Sequence, residues 1–169
     1  MKNPTKENGA PPLEITPIGT IRSSFRQVEN MPIQPRGARE AVGEVVVEKQ
    51  YAAGLLDLEG FSHLYLIYQF HQAPRTELRV IPFLDTREHG IFATRSPLRP
   101  SHIGISVVEL LEVLDNRLRV RGVDVLDGTP LLDIKPYIPH FDCHPEATSG
   151  WMSASAAEIA RKRSDDRFA

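Results

Sequence analysis

The sequence predicts a mainly β protein: a small antiparallel β-barrel with a few short helices and a C-terminal helix. Three observations carry this. Fourteen prolines and eleven glycines cut the 169 residues into short pieces, which favours strands and turns over a helical bundle. Several pieces alternate apolar and polar residues, most clearly Arg117–Val125, and a period of two belongs to strands. Sustained, glycine-punctuated antiparallel runs suggest closure into a barrel or a strongly curved sheet.

The elements follow in order. Residues 1–14 (MKNPTKENGAPPLE) are polar and proline-rich with no apolar stretch, and read as a flexible tail. Residues 15–145 are expected to form the barrel, and residues 146–169 a helical tail packed on or near it. Ile15–Arg22 and Gly43–Glu48 are strand-like. Tyr51–Leu58 reads as a short helix ended by Glu59-Gly60. Phe61–Phe70 is too rich in aromatic and branched residues to lie exposed, and reads as a central strand. Arg79–Leu84 and Ile91–Arg95 are further short strands around a polar loop, Asp85–Gly90. Ile105–Leu114 and Arg117–Val125 form a hairpin about Asp115-Asn116. After Gly122 the apolar set changes parity, which a bulge near Arg121-Gly122 explains. In the tail, Ser155 and Glu158 have capping-box spacing ahead of a short helix.

Composition narrows the function. A chain 41% hydrophobic and 25% charged reads as soluble and globular. A net charge of −2 confines any nucleic-acid contact to a local basic patch. Cys143 is the single cysteine, so no internal disulfide forms and a reducing cytoplasm fits. No apolar run approaches membrane-spanning length, and no membrane partner is expected. There is no G-x-G-x-x-G, no Walker A motif and no G-x-S-x-G elbow.

Five segments are candidates for chemistry. In Phe92–Gly104, Arg95 and Arg99 flank a Ser-Pro, and proline stiffens the loop that presents them. A guanidinium there reads carboxylate or phosphate through its fork; the plain alternative is a solvated loop. Gln34 lies between two prolines, and its amide suits a nucleobase edge; the alternative is an extended surface loop. His71 and Gln72 follow the apolar strand and are placed to line a cavity. Asp133, Lys135 and Tyr137 recur at every second residue beside an Asp127-Gly128 turn, so they share a strand face. That face is either catalytic or an ion pair fixing loops. His140, Asp142, Cys143 and His144 are possible ligands, but without CxxC or HExxH spacing no metal is expected.

Seven blocks in order carry a resemblance: IGTIRSSF (Ile18–Phe25), PIQP (Pro32–Pro35), AVGEV (Ala41–Val45), LEGFSHLYLIYQFHQ (Leu58–Gln72), FATRSPLRP (Phe92–Pro100), IGISVVEL (Ile103–Leu110) and VDVLDGTPLLDIKPYIP (Val123–Pro139). Over about Ile18–Pro139 the chain resembles the TsaA-like (TrmO-like) family of S-adenosylmethionine-dependent tRNA methyltransferases. The resemblance implies a compact β-barrel and a homodimer with the cofactor near the subunit interface. It implies methylation of N6 of threonylcarbamoyladenosine beside the tRNA anticodon. It puts cofactor contacts at Gln34, Pro35, Arg36, His71, Gln72, Arg95, Ile105, Asp127, Gly128, Thr129 and Pro130. Asp133 and Tyr137 are then candidate proton acceptors. Arg99, Lys135, Arg117, Arg119 and Arg121 are candidate contacts to the acceptor. The chain departs from the family's RPNP at Ser101-His102, and ends at Ala169 without the extra C-terminal region of longer members. A second reading therefore stands beside the first: a dimeric S-adenosylmethionine-binding regulatory module, or a methyltransferase with a different small acceptor.

Overall fold

A computed structural model describes residues 13–168, apart from the side chains of Pro35, Arg36 and Asp166. The stretch 1–12 of the expected tail lies outside the described residues. The strands are β1 (Gly19–Arg22), β2 (Val42–Val47), β3 (His63–Gln69), β4 (Arg79–Val80), β5 (His89–Gly90), β6 (Ile103–Leu114), β7 (Arg117–Arg121) and β8 (Thr129–Pro136). Six of them close an antiparallel barrel in the order β1-β2-β7-β6-β3-β8, while β4 and β5 form a separate ribbon.

The alternation in β3 sets the core. Leu64, Leu66 and Tyr68 point inward and are buried, with His63 and Gln69 exposed. Its partners supply Val108 from β6 and Leu131 from β8, and Ile21, Val45, Val47, Leu118 and Val120 complete the interior. Asp115, at φ 49°, turns the β6–β7 hairpin, a left-handed position that Asp tolerates.

Two register shifts bend the sheet. In β6 the pairing passes from Leu110 to Glu112 against consecutive residues of β7. In β8 it passes from Leu131 to Asp133 against Tyr68 and Ile67. Leu111 and Leu132 are thus the extra residues. Each lies in a Leu-Leu doublet, where one residue too many for a period of two marks a bulge.

Several expected elements differ. The Arg121-Gly122 bulge is absent: β7 ends at Arg121, and Gly122 leaves the sheet at φ 91°. Gly122 N–H then donates to Ala41 O at 2.9 Å. Ile91–Arg95 is no strand, because Ile91–Ala93 is a 3-10 turn that Thr94 closes by donating its hydroxyl to Ile91 O at 2.9 Å. The expected helix at Tyr51–Leu58 is two 3-10 segments, Lys49–Leu55 and Leu58–Gly60.

Short helices α1 (Pro139–Asp142) and α2 (Ala156–Arg161) follow the barrel. In α2 the capping box is complete, with Ser155 Oγ and Glu158 each accepting the other's backbone N–H. Past α2, Ser164 N–H donates to Met31 O at 2.9 Å, and Met31 N–H to Ser164 Oγ at 2.9 Å. Phe168 meets Phe83 edge-on at 4.8 Å and joins Val80, Ile91 and Leu98 in a second small core. These contacts hold the chain end against the barrel rim.

Gly104 of β6 fits one constraint. A Cβ there would lie 2.8 Å from Phe70 Cζ and closer still to the Tyr68 ring. Gly104→Ala is therefore expected to displace Tyr68 and destabilise the fold by about 1–3 kcal/mol, read as a lowered melting temperature in calorimetry.

Candidate functional site

The rim where β3 and β6 meet the loops opens into a cavity of about 690 Å³, within the range of small-molecule sites. Its floor includes Tyr68 and Gly104, its walls Phe70, Phe83, Phe92 and Trp151, and its polar groups Gln34, His71, Gln72, Arg95 and Asp124.

The 94–99 loop is braced by its own hydrogen bonds. Ser96 N–H donates to Thr94 Oγ1 at 3.3 Å, and Leu98 N–H to Ser96 Oγ at 3.3 Å. Arg99 completes it: Nε donates to Ser96 O at 3.2 Å and Nη2 to Thr94 O at 2.7 Å. His102 Nδ1–H donates to Pro97 O at 2.9 Å. Arg95 stands on this frame, exposed at the cavity, and makes no hydrogen bond or ion pair among the described residues.

The C-terminal segment supplies another wall. Trp151 Nε1–H donates to Ala93 O at 2.8 Å, and the indole stacks on His89 with centroids 4.4 Å apart. His89 is itself paired with Asp85 at 2.8 Å. That contact and the Thr86 N–H hold the Asp85 carboxyl below its usual range.

Opposite Arg95 in charge is Asp124. Its Oδ1 accepts from Ser106 Oγ at 2.6 Å, and Ser106 Oγ lies 3.0 Å from the Tyr68 hydroxyl. With one proton to give, Ser106 donates to the carboxylate and accepts from Tyr68. Burial pushes the Asp124 carboxyl up to about 6, against the opposing pull of Ser106 and Arg95. Burial also pushes the Tyr68 phenol up.

The candidate residues from the sequence divide into groups. Gln34, His71, Gln72, Arg95, Arg99, Ile105 and Thr129 line the cavity. The side chains of Pro35 and Arg36 lie outside the description. Asp127 and Gly128 face a second, more open cleft with Arg22, Arg26, Arg117 and Arg119. There Asp127 accepts from Ser23 N–H at 3.1 Å and pairs with Arg26. Pro130 sits in β8 opposite Thr20. Asp133 and Lys135 pair with each other at 2.9 Å on the outer face, and Tyr137 packs on Tyr65 at 5.6 Å. None of those three lines the cavity; the bulge at Leu132 turns their face outward. Arg117 pairs with Glu44 at 3.2 Å and Arg121 with Glu109 at 3.1 Å. Among the described residues, no group of three or more metal-ligating side chains converges.

Asp124, Tyr68 and Trp151 are cavity residues that sequence reasoning passed over. Asp124 left a signal: an acid between Val123 and Val125, both buried. Trp151 is the single tryptophan of the chain.

A closed barrel with a rim cavity, and among the described residues no glycine turn leading from a strand into a helix, defines a non-Rossmann architecture with room for a small molecule. The chain belongs to the family described as the tRNA-methyltransferase O N-terminal domain, which matches residues 20–143. It is 48% identical over 152 residues to a probable S-adenosyl-L-methionine-binding protein of Pyrococcus abyssi, covering 90% of this chain and 83% of that one. It is 39% identical over 154 residues to the tRNA (adenine(37)-N6)-methyltransferase of Escherichia coli, covering 85% of this chain and 66% of that one. The solved TrmO structure from Pseudomonas aeruginosa superposes with a TM-score of 0.70 at 39% identity, over 83% of this chain and 62% of that one. The chain thus spans less than two thirds of the bacterial enzymes' length.

The bracing predicts a contrast. Arg99→Ala strands two loop carbonyls and is expected to cost about 1–3 kcal/mol in urea unfolding. Arg95→Ala, which removes no bond of the loop, is expected to stay within about 0.5 kcal/mol of wild type.

Proposed function

We propose that this protein is an S-adenosylmethionine-dependent methyltransferase acting on N6 of adenosine 37 in tRNA, where that nitrogen carries a threonylcarbamoyl group. The observation that carries the reading is the rim cavity, lined by aromatic rings, by Asp124 and by Arg95, which makes no hydrogen bond or ion pair among the described residues, in a chain of this family.

The residues fit the cofactor's chemistry. Its amino-acid end presents a carboxylate, which Arg95 can hold through two parallel N–H bonds. Its adenine is flat and apolar with polar edges, matching Phe70 and Phe92 as walls and the Gln34 amide as donor and acceptor. The cofactor supplies an electrophilic methyl group on a sulfonium; the protein supplies alignment and a dry site. Transfer is in line, so the chain must hold the acceptor nitrogen about 3–3.5 Å from the methyl carbon. Arg99 acts through the loop it braces. Asp127 and Gly128 act by tying the turn to β1, where Gly128 N–H donates to Ile21 O at 3.0 Å.

For tRNA phosphates the second cleft offers Arg22 and Arg119, neither ion-paired among the described residues, with Arg26 and Arg117 beside them. Arg121 and Lys135 are offset by their acid partners. A tRNA acceptor places the reaction in the cytoplasm, and no helix among the described residues is long and apolar enough to cross a membrane. The reading extends to a homodimer. Phe92, 79% exposed, and Ile105, 46% exposed, stand on the cavity rim, and a second copy laid there shields both apolar groups from water.

The second reading, a binding module without transfer, is favoured by the S-adenosyl-L-methionine-binding name of the Pyrococcus relative. Calorimetry with S-adenosylmethionine tests what the readings share, and absence of binding sinks both. Radiolabelled methyl transfer to tRNA with and without the threonylcarbamoyl group separates them: transfer only to the modified tRNA is expected. Arg95→Ala is expected to weaken cofactor binding by about 10-fold or more, the loss of one charge-assisted pair; unchanged affinity refutes its role. Light scattering is expected to give a dimer mass for wild type and a monomer mass for Phe92→Glu.

A further inference from the structure

An amide-like N–H is a poor nucleophile, and its transfer reaction needs a group to receive the proton. Asp133 and Tyr137 lie outside the cavity. Among the described residues the cavity wall holds one carboxylate, Asp124. Gly122 takes the chain out of the sheet, and Val123 and Val125 are buried on either side, which anchors the backbone around it. The donor chain Tyr68 to Ser106 to Asp124 fixes its carboxylate from behind. Ser106 is the one side chain that donates to it among the described residues.

We propose that Asp124 is the catalytic base, receiving the acceptor N–H proton while Ser106 and Tyr68 hold its carboxylate in place. The assignment rests on the methyltransferase reading above. The balance is direct. The N–C bond forms as the C–S bond breaks, and the C–S electron pair stays on sulfur. The N–H pair becomes the nitrogen lone pair, and the proton ends on Asp124, which afterwards gives it to water.

The surroundings suit the role. Desolvation raises the Asp124 carboxyl to about 6, so it is ionised at neutral pH yet a stronger base than an exposed aspartate. The groups facing it are Ser106 on β6, Tyr68 on β3 and Arg95 on the 94–99 loop. His71 and Arg99 line the same cavity.

Asp124→Asn keeps an oxygen for Ser106 and loses only the proton-accepting charge. Its affinity for S-adenosylmethionine by calorimetry is expected within about threefold of wild type, and its kcat on modified tRNA lower by about 100-fold or more. Wild-type kcat is expected to rise with pH along a limb near 6. That limb should vanish in Asp124→Asn and persist in His71→Gln, whatever that variant's rate. Carbon-detected NMR of the Asp124 carboxyl in the unliganded protein reads the same proton without turnover. Ser106→Ala is expected to move that titration, and the limb, to higher pH. A near-normal kcat in Asp124→Asn overturns the assignment. So does a limb that follows His71, or a defect wholly accounted for by weaker cofactor binding. Wild-type protein that binds the cofactor and methylates no tRNA removes the reaction and the base together. Active wild type beside an equally active Asp124→Asn removes the base alone.

Discussion

The Tyr68 ring lies against Gly104 and Phe70, and the rest of the site is built around that contact. Tyr68 is the last inward residue of β3, where the core gives way to the cavity. Gly104 leaves its ring room that any Cβ would take. The ring then brings the phenol to Ser106 two residues along β6, and Ser106 in turn reaches Asp124. One close approach of backbone to ring therefore fixes a polar chain that crosses from the sealed core to the cavity wall. Buried polar groups are stable only when partnered, and no buried side-chain nitrogen or oxygen among the described residues lacks a partner.

The two arginines of the 94–99 loop divide the work by where their bonds go. Arg99 spends its donors on Ser96 and Thr94 carbonyls, and so sets the shape of the loop. Arg95 makes no such bond among the described residues, and its guanidinium lines the cavity. A rigid frame lowers the ordering cost that a flexible arginine loop would impose on binding. The chain end follows the same logic. Trp151 and Phe168 cover the rim from one side, and both are tied by contacts to the 80–93 segment. The RPSH departure from RPNP has a local role too, since the His102 ring bonds the Pro97 carbonyl of the same loop.

Much of this was legible in the sequence, and each failure has its own local cause. The central strand, the hairpin at Asp115-Asn116 and the Ser155 capping box announce themselves through local chemistry: β-rich apolar runs, a left-handed turn residue, a side chain matched to free N–H groups. Facing was harder. Asp133, Lys135 and Tyr137 do share a face, and Asp133 and Lys135 do pair. Counted from Thr129 and Leu131, both buried, an unbroken strand would point them inward. The extra residue at Leu132 reverses that parity. The clue was the Leu-Leu doublet, not the glycine at 122 that drew attention. Ile91–Arg95 failed differently: its apolar residues suit strand or 3-10 turn alike, and the Thr94 hydroxyl decides between them. Asp124 was missed because an acid between two valines reads as the wet side of a strand. It faces a cavity only because the strand has already ended.

The segment 122–130 emerges as a shared wall. Asp124, Leu126 and Thr129 look into the rim cavity, while Asp127 and Gly128 look into the arginine cleft. Thr129 caps the turn by donating to Leu126 O at 2.7 Å, and Asp127 N–H donates to Phe25 O at 2.7 Å. The turn is thus tied to the segment after β1 at Asp127 and to β1 itself at Gly128, whose N–H donates to Ile21 O. A small acceptor needs only the first opening. On the function proposed above, the tRNA backbone is held at the second, where Arg22 and Arg119 lie beside Arg26 and Arg117, which are paired with acids. Phosphate contacts carry little sequence information but set register. On that proposed function, the cleft governs how the acceptor is held, and the cavity governs which atom is reached.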